Sequence, residues 1–151
     1  MGKVVSSASM SLDGFIANPD NTVGSLTDGW RGAHPLGVPV VVLTHEPPTD
    51  WDYPGADNFS FVTDGIAPAV ALAQQIAGDK NVGVAAGTIA RQCLEAGLLD
   101  EVAVDLVPLV MGKGRPYFGE LAEGHPQLLG DPTTLIQGER VTHLVFPVLK
   151  E

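Results

Sequence analysis

The stretch VGVAAGTIARQCLEAGLLDEVAVDLVPLVMGKGRPYF, from Val82 to Phe118, constrains the fold more than any other part of this 151-residue chain. Val82 to Ala85 is a short apolar run of the kind a buried strand uses. The chain turns at Ala86-Gly87-Thr88, and apolar side chains then recur at helical spacing. Ile89, Ala90, Cys93, Leu94 and Leu98 share one face, while Arg91, Gln92 and Glu95 share the other. Gly97 is placed to cap that helix in the left-handed conformation. Leu98 to Glu101 lead into the alternation Val102, Val104, Leu106, and Pro108 ends the second strand. Such a unit presents a helix N-terminus to a ligand. A glycine at the strand-to-helix turn lets a bound group approach the backbone, and the free N–H groups of the first helical turn favour an anion, most often a phosphate. The same Ala-Gly-Thr also serves as a plain tight turn that packs helix on sheet. The local residues leave both readings open.

The remainder of the chain supplies more strands and one more helix. Lys3 to Met10 reads as the first strand, and Asp13 to Leu26 as a loop rich in Gly, Asn and Asp. Val40 to Thr44 is a continuous β-branched run typical of a buried parallel strand. Glu46 to Gly55, with Pro47, Pro48 and Pro54, is a loop. Phe59 to Thr63 forms the next strand, and Thr63-Asp64-Gly65 offers a cap for a helix through Ile66, Val70, Ala73 and Ala77, with Pro68 in its first turn. Thr133 to Gln137 and Val141 to Leu149 close the chain as an antiparallel hairpin. Strands that alternate with helices and end in a hairpin predict an α/β sheet with a mixed edge. At this length the chain can bury one sizeable core and hardly two, so residues 1–151 are expected to form a single domain.

Composition excludes several classes. The net charge is −10 with only 8 Lys and Arg, which argues against a nucleic-acid partner, since neutralising a phosphate backbone takes clustered cations. No apolar run reaches membrane-spanning length, and Met1-Gly2-Lys3 leads straight into a strand without a signal peptide. The expectation is a soluble cytoplasmic protein. The single Cys93 lies on the apolar helix face, where a buried structural thiol is expected. His34, His45, His125 and His143 have no ligand-like spacing with Cys or acids, so no metal site is expected.

Two motifs in the same order carry a family resemblance. The first is Ser9-Met10-Ser11-Leu12-Asp13-Gly14-Phe15-Ile16-Ala17. The second runs through Gly97-Leu98-Leu99-Asp100-Glu101, Pro108, Gly112-Lys113-Gly114 and Phe118. Together they resemble the dihydrofolate-reductase-like α/β family, in the version found in the C-terminal reductase domain of the bifunctional riboflavin-biosynthesis deaminase/reductase and in its stand-alone bacterial relatives. The resemblance implies a three-layer fold with a mixed central sheet and a C-terminal antiparallel hairpin. It also implies NADPH-dependent hydride transfer to a pterin-like or pyrimidine substrate.

Residue by residue, the resemblance places the cofactor's pyrophosphate at Ala86, Gly87, Thr88 and Ile89, and its adenosine half at Thr44 and His45. Asp13 would be the catalytic residue, at the junction of nicotinamide and substrate. Each has a plainer reading: Asp13 as a turn former, His45 as an exposed loop histidine. Arg31, Arg91, Lys113 and Arg115 are the candidate phosphate cations, and solvated surface charge is the plainer reading of each. Trp30 is placed to cover a ring of the cofactor or simply to pack.

The chain also departs from the family pattern. A helix and a strand ending in G-R-x-T are missing after the first loop, where Thr22-Val23-Gly24-Ser25 runs almost directly into Leu26-Thr27-Asp28-Gly29-Trp30. Losing an internal strand leaves its neighbours to pair anew or leaves open edges. Ala86 replaces the first glycine of the usual pair, and Ala85 stands where the riboflavin enzyme has a substrate-contacting glutamate. The alternative function is therefore a non-enzymatic relative that self-associates and binds nucleotide weakly or not at all. Relatives commonly form homodimers through the C-terminal part of the sheet. The apolar residues of the closing hairpin, Leu135, Ile136, Leu144 and Phe146 among them, exceed what one core face can take, which predicts a homodimer here.

Overall fold

The computed structural model describes residues 1–20, 36–52, 54–121 and 126–150. Strand β1 (Val4–Ser11) alternates as its sequence demands, with Val4 and Ser6 buried and Ser7 and Ser9 exposed. It lies between two parallel neighbours, β5 (Val82–Ala85) and β6 (Glu101–Val107). The closing strands β8 (Thr134–Gly138) and β9 (Val141–Pro147) form the expected antiparallel hairpin, and β9 pairs antiparallel with β6. The result is a mixed five-stranded sheet in the order β5-β1-β6-β9-β8.

Register puts Val4, Ser6, Val82, Val84, Val102 and Val104 on one face of that sheet. Helices α1 (Ile66–Ala77) and α2 (Thr88–Glu95) lie side by side against it as a second layer. The core joins these valines to Val70 of α1, to Ala90, Cys93 and Leu94 of α2, and to Leu99 and Tyr117. Cys93 is fully buried, and loss of solvent pushes its thiol up to about 11, so it stays a neutral packing group. Gly97 ends α2 as predicted. At φ +68 its N–H donates to the Leu94 carbonyl (3.0 Å) while the Leu98 N–H donates to the Cys93 carbonyl (2.8 Å).

Three details differ from the sequence expectation. First, Val40–Leu43 is parallel as expected but stands outside the central sheet. Among the described residues this strand, β3, pairs only with β4 (Phe59–Val62), and every residue of the pair is half-buried. Trp51 leans edge-on against Phe59 and Phe61, at 5.0 and 5.6 Å between ring centroids. Strand β5 pairs with β1 alone among the described residues, so the sheet is broken between β5 and the β3–β4 pair. Open edges of this kind are what removal of an internal strand leaves.

Second, α1 has no side-chain cap. Gly65, at φ +107, occupies the cap position and has no side chain to offer, while the Thr63 hydroxyl donates to the Asp64 carboxylate instead. Third, two short strands fall inside stretches read as loops. These are β2 (Phe15–Ala17) and β7 (Arg115–Pro116), which pair antiparallel. Gly114 permits their approach, because a Cβ there would lie 2.5 Å from the Ala17 carbonyl oxygen. The hairpin turn holds Arg140 at φ +57, a left-handed angle that is unfavourable for a residue with a Cβ.

Candidate functional site

Both sequence motifs meet at the carboxyl ends of β1, β5 and β6, the end at which α2 begins. Residues 11–17 zip onto residues 109–117: the Leu12 N–H donates to the Leu109 carbonyl (2.8 Å), and the Tyr117 N–H to the Gly14 carbonyl (3.2 Å). The second segment then meets the turn before α2, where the Gly87 N–H donates to the Tyr117 carbonyl (2.6 Å). Three loops from distant parts of the sequence are thereby tied by main-chain hydrogen bonds into one surface. In open α/β sheets this is where ligands bind.

Asp13 sits at the first junction. Its carboxylate accepts from the Ser11 hydroxyl (2.7 Å), the Met111 N–H (3.1 Å) and the Gly112 N–H (2.7 Å). The Ser11 hydroxyl hydrogen bond, followed by those from Met111 and Gly112, pulls its pKa down to about 2. At neutral pH it is an anion and an acceptor.

Gly87 has φ +92 and ψ −141, a conformation that belongs to glycine, and nothing lies within 4 Å of where its Cβ would be. Ala86 is not among the positive-φ residues, so the alanine that replaces the usual glycine costs nothing in this turn. Among the described residues the α2 N-terminus carries no side-chain cap. Thr88 is exposed, and Ala86, Gly87 and Ile89 are half-buried. An uncapped, partly exposed first turn with a positive partial charge is the feature the sequence pointed to.

Thr44 and His45 lie apart from these residues, at the end of β3. The Thr44 N–H extends the pairing with β4 by donating to the Val62 carbonyl (3.0 Å). Its hydroxyl is used within its own turn, donating to the Glu46 carbonyl (3.1 Å) and accepting from the Glu46 N–H (3.3 Å). His45 is exposed. Arg91 is not a solvated charge, because its guanidinium donates to the Glu120 carbonyl (2.6 Å) and ties α2 to the chain after β7. Lys113 and Arg115 are exposed. Trp30 and Arg31 lie outside the described residues. Among the described residues no three His, Cys, Asp or Glu side chains come together as a metal site would require, and no helix is long and apolar enough to cross a membrane.

Sequence reasoning missed two residues that hold the site in place. The Tyr117 hydroxyl, buried, donates to the Ala103 carbonyl (3.0 Å) and lies 3.0 Å from the Ser6 hydroxyl, which is fully buried on β1. Burial raises the Tyr117 pKa against the lowering hydrogen bond from Ser6, and the charge of Asp105 raises it further, so the phenol stays neutral. One signal was available. Ser6 falls on the core side of the alternation Val4, Ser6, Ala8, and a buried hydroxyl there needs a partner.

Comparison with solved structures gives the family of folds. A protein from Shewanella sp. assigned to riboflavin biosynthesis superposes with a TM-score of 0.72 at 17% identity, covering 98% of this chain and 99% of that one. A pyrimidine reductase-like protein of Corynebacterium diphtheriae gives 0.65 at 12%, over 99% of this chain and 93% of that one. The chain has the fold of the riboflavin-biosynthesis reductases. It also matches the diaminohydroxyphosphoribosylaminopyrimidine deaminase/5-amino-6-(5-phosphoribosylamino)uracil reductase of Thermotoga maritima, at TM-score 0.66 and 13% identity. There it covers 98% of this chain but spans only 57% of the longer Thermotoga protein. No family model matches the sequence, and no curated protein sequence matches it.

Proposed function

We propose that this chain is an NADPH-dependent reductase that transfers hydride to a pterin-like or pyrimidine substrate. One observation carries the reading: the uncapped N-terminus of α2 opens at the carboxyl end of β5, in a fold shared with pyrimidine reductases, and both family motifs converge on it. The main-chain N–H groups of that turn suit a pyrophosphate, and they suit it in a chain of charge −10 that offers few cations. The nicotinamide supplies the hydride when bound. The residues of the chain supply the rest: Thr88 and Ile89 offer their N–H groups to the pyrophosphate, Gly87, its own N–H given to the Tyr117 carbonyl, lets the phosphates approach with Ala86 beside it, Thr44 and His45 flank the adenosine half, and Asp13 stands near the reacting end. Leu12, Leu109 and Val110, all largely exposed around the Leu12–Leu109 hydrogen bond, give an apolar rim for a flat heterocycle.

The test is a titration of NADPH read by tryptophan fluorescence and by melting temperature. At a hundred times its dissociation constant the cofactor should stabilise the fold by about 2.7 kcal/mol. With the family's G-R element missing from the sequence, any preference for NADPH over NADH should be slight, or both should bind poorly. Gly87→Val is not a clean probe of the site, since φ +92 strains any side chain. An acidic residue at the exposed Thr88 is.

The break between β5 and the β3–β4 pair favours the second reading, a relative that has kept the fold and lost the reaction. It separates the adenosine candidates from the main sheet, and no response to NADPH would establish it. Under either reading we propose a homodimer through the β8–β9 hairpin. The edge strand β8 exposes Leu135 and Ile136 on its two faces, at 66% and 57% of their surface. Leu144 and Phe146 lie on the core side, opposite Val104 and Val102, so Ile136→Asp is the substitution that should shift the sedimentation mass toward monomer without opening the core.

A further inference from the structure

We propose that Asp13 is a positioning residue. Its carboxylate clips the loop after β6 to the end of β1 and, through the Tyr117 carbonyl, sets the turn that opens α2. The consequence for cofactor affinity rests on the reductase reading above, whereas the clip itself does not.

Three facts carry the proposal. Asp13 is exposed, yet it takes three hydrogen bonds, two of them from the main chain of a loop 98 and 99 residues away in sequence. An exposed carboxylate is ordinarily solvated, and one engaged in this way fixes whatever it holds. The held loop is short: Gly112 is gripped by Asp13, and only Lys113, Gly114, Arg115 and Pro116 separate it from Tyr117. Gly114 is packed against Phe15 and Ala17, and Arg115 and Pro116 pair with β2, so this stretch transmits a shift. Tyr117 is the point of arrival. Its N–H is held by the Gly14 carbonyl, its hydroxyl by Ala103 and Ser6, and its carbonyl receives the Gly87 N–H at the start of α2. Asp13 also lies next to Gly14, so both routes into Tyr117 begin at adjacent residues.

The chemistry separates this role from acid catalysis. A carboxyl held near 2 carries no proton to give at neutral pH. Its use is as a fixed negative charge that aligns two N–H dipoles and the Ser11 hydroxyl, which also accepts from the Phe15 N–H (3.0 Å) and so fixes the start of β2.

The experiment compares wild type with Asp13→Asn in the full chain. Asparagine keeps the size but presents an NH2 group to one of the two main-chain donors. We expect the melting temperature to fall modestly, since the depressed carboxylate contributes stability at neutral pH. Amide exchange should accelerate about tenfold or more at Met111 and Gly112 and also at Gly87, and NADPH affinity should fall about tenfold, equivalent to about 1.4 kcal/mol. Acceleration at Met111 and Gly112 with Gly87 unchanged would overturn the coupling, and no acceleration at any of them would overturn the clip. A rate limb near neutral pH that disappears in Asp13→Asn would mark Asp13 as a proton donor and overturn the positioning role. Failure of wild type to bind NADPH would remove the reductase reading and leave exchange at Met111 and Gly112 to decide the clip and exchange at Gly87 to decide its coupling to α2. Should Asp13→Asn not fold, Ser11→Ala removes one partner of the carboxylate and should give the same pattern at smaller size; its absence there would count against the clip.

Discussion

The two parallel-strand regions of this protein are held together differently. In β5, β1 and β6 the face under the helices is closed: Val4, Val84, Val102 and Val104 are buried, and Leu99 is fully so. In β3 and β4 every residue is half-buried, even though Val40–Leu43 is the most continuous β-branched run in the chain. Hydrophobicity alone did not decide which run went to the core. What differs is the number of neighbours: β1 is flanked on both sides and its Val4 shares a buried cluster with residues of both helices, whereas β3 has one strand partner among the described residues and packs against α1. The candidate site inherits the difference, because the turn before α2 belongs to the closed region and Thr44 and His45 to the open one.

Truncation should expose the contrast most strongly. Leu99→Ala removes a fully buried side chain and should cost about 2–5 kcal/mol, while Val42→Ala in β3 should cost about 1 kcal/mol, both read from denaturant unfolding. Equal costs would mean that β3 and β4 carry as much of the fold as the central sheet. Next in size is Tyr117→Phe, which leaves the Ala103 carbonyl and the Ser6 hydroxyl short of a partner in the closed region. It should cost about 1–3 kcal/mol, and a neutral result would show that water or the Ser6 hydroxyl alone satisfies the Ala103 carbonyl.

Acid sharpens the same comparison. Burial pushes the Asp100 carboxyl up, but the hydrogen bonds from the Lys150 ammonium and the Val4 N–H, together with the charges of Lys150 and Lys3, bring it below its ordinary value. Asp13 is lowered to about 2 by its three donors. A carboxylate whose folded pKa is depressed stabilises the protein above its unfolded pKa of 3.8, and that contribution is lost as pH falls through the folded value. The melting temperature should therefore begin to fall below pH 4, and Asp100→Asn should flatten that limb. An unchanged limb in the variant would assign it to other acids. The smallest effect belongs to the hairpin, where Arg140→Gly removes a left-handed residue with a side chain and should stabilise by about 1 kcal/mol; a loss would mean the Arg140 side chain contributes more than its backbone costs.

Much of this was legible in the sequence where the signal is local. The strand, turn and helix from Val82 to Gly97 were readable because their residues repeat at periods of two and 3.6 and end in a glycine that must adopt positive φ. Ala86, Gly87, Thr88 and Ile89 could be placed on the turn before α2 for the same reason. What escaped was non-local. Strands β2 and β7 are three and two residues long, too short for any period, and exist because residues 11–17 lie against 109–117. The contact between Ser6 and Tyr117 spans 111 residues. The isolation of β3 and β4 depends on which strands are available to pair with them, a property of the whole sheet and not of the β-branched run.

The central claim is that the α2 N-terminus holds the cofactor's pyrophosphate, and Thr88→Glu tests it most directly. Thr88 is exposed at the first helical position, so a glutamate there should leave the helix as stable or stabilise it by about 0.3–1 kcal/mol through the helix dipole, while placing a negative charge where the phosphates would lie. Calorimetric titration of NADPH into wild type and into Thr88→Glu should give an affinity at least about tenfold weaker in the variant, at an equal or higher melting temperature. Equal affinities in two folded proteins would contradict the account and move the dinucleotide away from α2.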